Sequence, residues 1–134
     1  QRNAELNQLN VKFEVGDGFH TLDRLADEHV QFDAIVLDPP KFAKSRSGVN
    51  AALQAYHRLN KTAVALLPPG GILVTCSCSG TVSAEDFRLM LSGVAQKSGR
   101  DIQIIEQRGA AADHPVAATC LETEYLKCFI CRVS

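Results

Sequence analysis

A chain of 134 residues, 46% hydrophobic and 22% charged, is expected to fold as one domain with a substantial core. Its net charge of −1 excludes a wholesale polycationic nucleic-acid binder, so any nucleic-acid contact must come from a local patch. No apolar run approaches the roughly 20 residues of a membrane span. The cysteines number five, an odd count in apolar or strand-like settings, which points to reduced thiols in a cytoplasmic protein rather than a disulfide framework.

In chain order, Arg2 to Leu9 holds helix formers with a weak apolar face, and Asn10 is a terminator. Val11, Phe13 and Val15 alternate with Lys12 and Glu14, which predicts a strand with one polar face. Gly16-Asp17-Gly18 turns the chain, and Phe19, Leu22, Leu25 and Ala26 fall at helical spacing up to about Glu28. Ala34 to Leu37 is a short apolar run that predicts a strand buried on both faces. Pro39 and Pro40 cannot donate to a ladder, so this strand stops at Asp38. A basic loop, Lys41 to Gly48, leads into an amphipathic helix from Val49 to Leu67, stopped by Pro68-Pro69-Gly70-Gly71.

Ile72 to Cys76 reads as a second apolar strand, followed by Ser77-Cys78-Ser79-Gly80. Ser83 with Asp86 three residues on predicts a capping box, and Phe87, Met90, Leu91, Val94 and Ala95 line one helix face. Ile102, Ile104 and Ile105 suggest a strand, Gly109 to Thr119 a small-residue loop, and Tyr125 to Val133 a closing strand. Strands alternating with helices predict a parallel, helix-covered sheet, with the last two strands antiparallel because no helix separates them.

Three places can carry chemistry. Asp38 sits at the carboxyl end of a sheet strand with rigid prolines behind it, where open α/β folds bind ligands. Its carboxylate can accept from a planar amine edge such as that of a nucleobase; the plainer reading is a helix-capping acid before a stiff loop. Asp17 has the same two readings, a strand-helix turn or an acceptor for an adenine amino group. Cys76 and Cys78 point the same way, with Cys78 about 7 Å nearer the open end of the strand. A thiol there is a nucleophile if it ionises readily, whereas a buried cysteine is ordinarily a small hydrophobe. Cys78 takes the first reading and Cys76 the second.

Zinc is rejected: the CxC motif is at best half a site, and Cys128 and Cys131, spaced as CxxC in a strand, point their sulfurs to opposite faces. Cys120 and Cys128 are read as packing residues. Lys41, Lys44 and Arg46, with Arg58 and Lys61 on the following helix, are either a phosphodiester-binding cluster or a solvated face. His114 stabilises its loop or walls the site, and His20, His29 and His57 are surface or boundary residues. Neither a GxGxxG fingerprint nor a P-loop is present.

Taken together, VGDGF, DAIVLDPPKFAKSR, GGILVTCSCSG and ADHPVAATCLETEYLKCFICRV resemble successive motifs of one family. It is the S-adenosylmethionine-dependent methyltransferases that make 5-methylcytosine in large-subunit ribosomal RNA, the PUA-linked methyltransferase I type. The resemblance implies a class I, Rossmann-like α/β fold with a mostly parallel sheet and an antiparallel last strand. It implies S-adenosyl-L-methionine as cofactor and large-subunit ribosomal RNA as partner. Carried over by motif, Asp17, Gly18 and Phe19 meet the adenine, and Asp38 and Pro39 flank the methionine part and the cytosine edge. Cys78 is the nucleophile, and Cys76 stays in reserve because it fits the TCS signature of other RNA cytosine-5 methyltransferases. Many of those enzymes place a releasing cysteine just after the proline of the acid-proline corner; here that position is Pro40 or Lys41, so the releasing group is unassigned.

The resemblance also implies missing parts. The family's glycine-rich first motif, its ribose-binding acid and its RNA-binding PUA domain do not occur in the chain, which opens without Met inside a helical pattern. The expectation is therefore a partial methyltransferase domain, residues 1–134, lacking the first two strands of the sheet. Those strands belong between the Val11 strand and the Ala34 strand. Without them, the Val11 strand must pair elsewhere, swap onto a second copy in a homodimer, or stay loose. Such a piece is expected to bind cofactor weakly and to be inactive alone. Rival readings are a methyltransferase of guanine N7 or an exocyclic amine, which needs no cysteine, and a non-catalytic, dimerising domain. A nicotinamide oxidoreductase is weaker still, because the nucleotide fingerprint is missing.

Overall fold

The computed structural model describes residues 1–43 and 45–134. Helix α1 (Arg2–Leu6) and helix α2 (Gly18–Asp27) precede strand β1 (Ala34–Leu37). Helix α3 (Val49–Ala65), entered through a 3-10 turn at Arg46–Gly48, leads to β2 (Gly71–Ser77) and α4 (Ala84–Ser98). Strand β3 (Ile102–Arg108), a 3-10 turn at Leu121–Thr123 and strand β4 (Lys127–Val133) complete the order.

The four strands form one sheet in the order β1-β2-β4-β3. β1 runs parallel to β2, from Ala34 opposite Ile72 to Leu37 opposite Thr75. β4 inserts antiparallel between β2 and β3, from Gly71 opposite Val133 to Ser77 opposite Lys127, with a register shift between Ile104 and Glu106 on the β3 side. Three strands therefore share one direction and the last opposes them, as expected. The anticipated capping box is also present: Ser83 Oγ accepts from the Asp86 N–H at 3.0 Å, and Asp86 accepts from the Ser83 N–H at 3.0 Å. Gly99 closes α4 with φ 66°, a left-handed conformation that favours glycine.

The core lies where α3 and α4 cover one face of the sheet. Strand β2 shows why: Gly71, Leu73, Thr75 and Ser77 are buried, and the residues between them only partly so. Tyr56, Phe87 and Phe129 are fully buried. They continue a run of neighbouring aromatic rings that starts at Phe19 and passes through Phe42, with centroid separations of 6.0, 4.8, 5.2 and 5.7 Å. The run ties α2, the loop after β1, α3, α4 and β4 together directly beneath the strand tips. Each such ring contributes on the order of 2–3 kcal/mol by burial.

Two expectations fail on one side of the molecule. Val11 to Val15 forms no strand, and Val11, Phe13 and Val15 are 48, 54 and 103% exposed. Alternation alone cannot make a strand without a neighbouring ladder, and β1, the adjacent sheet edge in sequence, pairs only with β2. β1 is also not buried on both faces: Val36 is 68% exposed and only Leu37 is buried. It is an edge strand, and α3 and α4 lie on the opposite face from Val36. Smaller differences are local. α1 stops at Leu6 rather than Leu9, and β4 starts at Lys127 rather than Tyr125. Among the described residues, no helix is long and apolar enough to cross a membrane.

Candidate active site at the tips of β1 and β2

Parallel pairing of β1 with β2 brings the two strand ends side by side. The prolines stop β1 after Leu37, and β2 runs out at Ser77, so Asp38-Pro39-Pro40 and Cys78-Ser79-Gly80 leave the sheet together. The Cys78 Sγ lies 3.9 Å from the Pro39 carbonyl oxygen, and the thiol is half-buried. The Asp38 corner and Cys78 thus lie side by side at the strand tips.

A buried polar network fixes this junction. Ser77 Oγ donates to the Tyr56 hydroxyl at 3.0 Å, and the Tyr56 hydroxyl and Ser79 Oγ are 3.1 Å apart. Ser79 Oγ also accepts from the Ala43 N–H at 3.2 Å, and the Ser79 N–H donates to Ser77 Oγ at 3.3 Å. The loop after β1 is thereby tied to the loop after β2 through a tyrosine of α3. From β4, the Lys127 ammonium donates to the carbonyls of Ser79 and Tyr125 at 2.6 and 2.7 Å. Ser77, Ser79 and Tyr56 are fully buried and Lys127 is 8% exposed.

The two candidate cysteines occupy different surroundings. Cys76 is opposite Cys128 across the β2–β4 ladder. Burial first, then the Cys128 thiol, then the charges of Asp38 and Cys78 push Cys76 up to about 12. It therefore stays a thiol at neutral pH and is a poor nucleophile. Burial likewise pushes Cys131 up to about 11. Cys128 is half-buried on one face of β4 and Cys131 buried on the other, so the CxxC sulfurs diverge.

Two hollows meet at the corner. The larger, about 850 Å³, is lined by Cys78, Lys41, Arg46, Thr81, Glu124 and Tyr125, among others. The second, about 630 Å³, is lined by Asp17, Gly18, Phe19, Val36, Asp38 and Pro39, among others. The Asp38–Lys41 turn serves both, with its acid and prolines on one side and Lys41 on the other. The second hollow has an apolar floor from Ile35 to Leu37 and carboxylates at its rim, which suits a flat heteroaromatic ring with polar substituents. Asp17 caps α2, its Oδ1 accepting from the His20 N–H at 3.0 Å, and that bond holds its carboxyl below the usual range. Asp17 thus caps α2 and lines the hollow, and because Val11 to Val15 forms no strand, the turn it sits in leads into the helix from a loop rather than from a strand.

The structure brings together Asp17, Gly18, Phe19, Asp38 and Pro39 on one side and Cys78, Lys41 and Arg46 on the other. Lys44 lies outside the described residues. Arg58 does not join the basic cluster. It is paired with Asp23 at 2.6 Å and its guanidinium lies 5.2 Å from the Phe19 ring centroid. His114 packs edge-on to Tyr125, with centroids 6.4 Å apart, in a hollow beside the Cys78 cavity. Sequence reasoning missed Tyr56, Ser77, Ser79 and Lys127. A signal existed for the last: alternation places Lys127 on the same face as Phe129, Cys131 and Val133, a core face where an unpaired charge is not tolerated.

The architecture is the Rossmann-like α/β fold of S-adenosylmethionine-dependent methyltransferases. A Streptococcus mutans protein assigned as a SAM-dependent methyltransferase superposes with TM-score 0.79 at 20% identity, over 98% of this chain and 34% of that one. NSun6 from Pyrococcus horikoshii, solved with SFG, superposes with TM-score 0.63 at 18% identity, over 98% and 36%.

In sequence, the chain is 45% identical over 136 residues to ribosomal RNA large subunit methyltransferase I of Enterobacter sp. (strain 638). It is 44% identical over the same length to the protein of that name from Klebsiella pneumoniae (strain 342). Each alignment covers 99% of this chain and 34% of the relative, so the chain spans about a third of the length of the curated relatives it matches. No family model matches the chain.

Proposed function

We propose that residues 1–134 are part of the catalytic domain of an S-adenosylmethionine-dependent RNA methyltransferase that acts on large-subunit ribosomal RNA. Its product is 5-methylcytosine, made through a Cys78 thiolate adduct. The observation that carries this reading is the junction of the strand tips, where Cys78 meets the Pro39 carbonyl between two hollows. The relatives' names support ribosomal RNA as substrate, and the hollow of Asp17, Phe19 and Asp38 supports the cofactor.

In this reading, Asp17, Gly18 and Phe19 would hold the adenine of S-adenosylmethionine and Asp38 and Pro39 its methionine part, and the bound cofactor would supply an electrophilic methyl group with a neutral thioether as leaving group. Carbon 5 of cytosine is a poor nucleophile until its electron density is raised. The Cys78 thiolate adds to carbon 6, forming the C–S bond while the carbon 5–carbon 6 π pair moves toward carbon 5. Asp38 accepts from the base's amine edge and keeps the ring in register with the thiol. Lys41 and Arg46 at the mouth of the Cys78 cavity take the phosphodiester backbone, and Lys44 belongs to the same proposed cluster. After methylation a base takes the carbon 5 proton, the carbon 5–carbon 6 double bond re-forms and the C–S bond breaks. Cys76, held as a thiol by burial, is left as a packing residue.

The decisive experiment replaces Cys78 by Ala in the longer protein and measures labelled methyl incorporation into large-subunit RNA, with nucleoside mass spectrometry of the product. The expected result is a fall of at least about a thousandfold with the fold intact. Retained transfer would sink the thiolate mechanism and point to an exocyclic amine or guanine N7 target. The 134-residue chain alone offers an open hollow rather than an enclosed one, so calorimetric titration should show cofactor binding weaker than about 100 μM. Micromolar binding would overturn that expectation.

A further inference from the structure

Lys127 is the one buried lysine among the described residues, and the mechanism above gives it no role. It starts β4, opposite Ser77, the last residue of β2. Its ammonium reaches across the strand ends to the Ser79 carbonyl at 2.6 Å and back to the Tyr125 carbonyl at 2.7 Å. Both carbonyls belong to residues beside the Cys78 cavity: Ser79 follows the thiol in sequence, and Tyr125 lines the cavity. A methionine would fill the same space as this side chain. Placing a cation there is costly unless its charge is used.

We propose that Lys127 is a positioning residue for Cys78: it clamps the turn that carries the thiol and sets a buried positive charge behind it. The inference rests on reading Cys78 as the nucleophile.

The clamp completes the junction from the side that Tyr56 does not reach. Ser79 is held at its hydroxyl by Tyr56 and the Ala43 N–H, and at its carbonyl by Lys127, so the backbone on the C-terminal side of Cys78 cannot rotate without breaking both. The charges around the thiol are mixed. Lys41 and Arg46 line its cavity from the loop after β1 and Glu122 and Glu124 from the loop before β4, and Asp38 precedes the Pro39 whose carbonyl the thiol meets. Of these cations among the described residues, Lys127 alone is buried, so it is the least screened by solvent and salt. Burial pushes its own pKa down, and a negative charge on Cys78 pulls it back up.

The test follows Cys78 alkylation by iodoacetamide, resolved from the other thiols by peptide mass spectrometry, between about pH 6 and about pH 10. It compares the wild-type chain with Lys127→Met, Lys127→Gln and Lys127→Arg, with thermal unfolding as a check on folding. Removing the charge should slow Cys78 alkylation about tenfold near neutral pH, with rates converging toward wild type in alkali, while arginine restores the rate to within about threefold. Cys120, which is exposed and whose thiol meets Glu122 rather than Lys127, should alkylate alike in all four proteins.

A folded Lys127→Met protein with the wild-type profile would overturn the proposal. If the methionine variant does not fold, glutamine and arginine variants with the same profile would overturn it instead. Loss of methyl transfer in Cys78→Ala tests the nucleophile reading separately. Transfer retained there removes the reading, whereas transfer lost there with an unchanged Lys127→Met profile removes only this inference.

Discussion

The two hollows that meet at the Asp38–Lys41 turn are built to different standards. Around Cys78, the ends of β2 and β4 and the loop after β1 are tied: Tyr56, Ser77, Ser79 and Lys127 form a buried network over the run of aromatic rings from Phe42 to Phe129. Around Asp17 and Val36, the wall is an edge strand with one exposed face and a segment, Val11 to Val15, without a ladder. The side that would attack a base is rigid from its own residues. The side that would hold a cofactor leaves Val11, Phe13, Val15 and Val36 uncovered. The reactivity of the thiol and the stability of its junction can therefore be probed in this chain apart from cofactor binding.

The largest expected contrast is in stability. Phe87 is fully buried between Tyr56 and Phe129, whereas Phe13 is 54% exposed. Phe87→Ala should cost about 3–5 kcal/mol in urea unfolding, through lost burial and the cavity left behind. Phe13→Ala should stay within about 0.5 kcal/mol. Similar losses for both would mean that the Val11 to Val15 segment is packed in solution and that the contrast between the two sides is wrong.

A smaller effect tests the polar network alone. Tyr56→Phe keeps the ring and its packing but removes the hydroxyl that links Ser77 and Ser79. Urea denaturation should show a loss of about 1–3 kcal/mol, because two buried serine hydroxyls lose a partner. Unchanged stability would mean that the serines find other partners and that the junction does not depend on Tyr56.

These two regions also mark how far the sequence could be read. The Asp38 corner, the capping box at Ser83 and the antiparallel last strand follow from local rules: proline cannot continue a ladder, a serine-acid pair caps a helix, and strands without an intervening helix fold back. The Val11 strand failed because alternation reports a preference for half-burial and says nothing about whether a neighbour exists. Val36 failed for the same reason, since a continuous apolar run does not reveal which faces are covered. The junction network was illegible because serines 77 and 79 become partners of Tyr56 only through the packing of α3 on the sheet. Lys127 was within reach, since strand alternation alone put a lysine on a core face.

A last effect, read only in alkali, concerns the thiols that the site does not use. Cys76 is pushed from an ordinary 9.0 up to about 12 by burial first and by Cys128 next, so its folded-state pKa lies above its unfolded one. Below about pH 9 the proton is bound in both states and stability is unaffected by this group. Above that the unfolded chain releases the proton while the folded chain retains it, so stability falls as pH rises from about 9 toward about 12. Cys131, raised by burial to about 11, adds to the same decline. Urea midpoints measured across this range should therefore drop, and Cys76→Ala should flatten part of the drop, even if it lowers stability at every pH. Cys78→Ala should leave most of the decline in place. If instead Cys78→Ala abolished it, the assignment of Cys76 to packing and Cys78 to chemistry would have to be reversed.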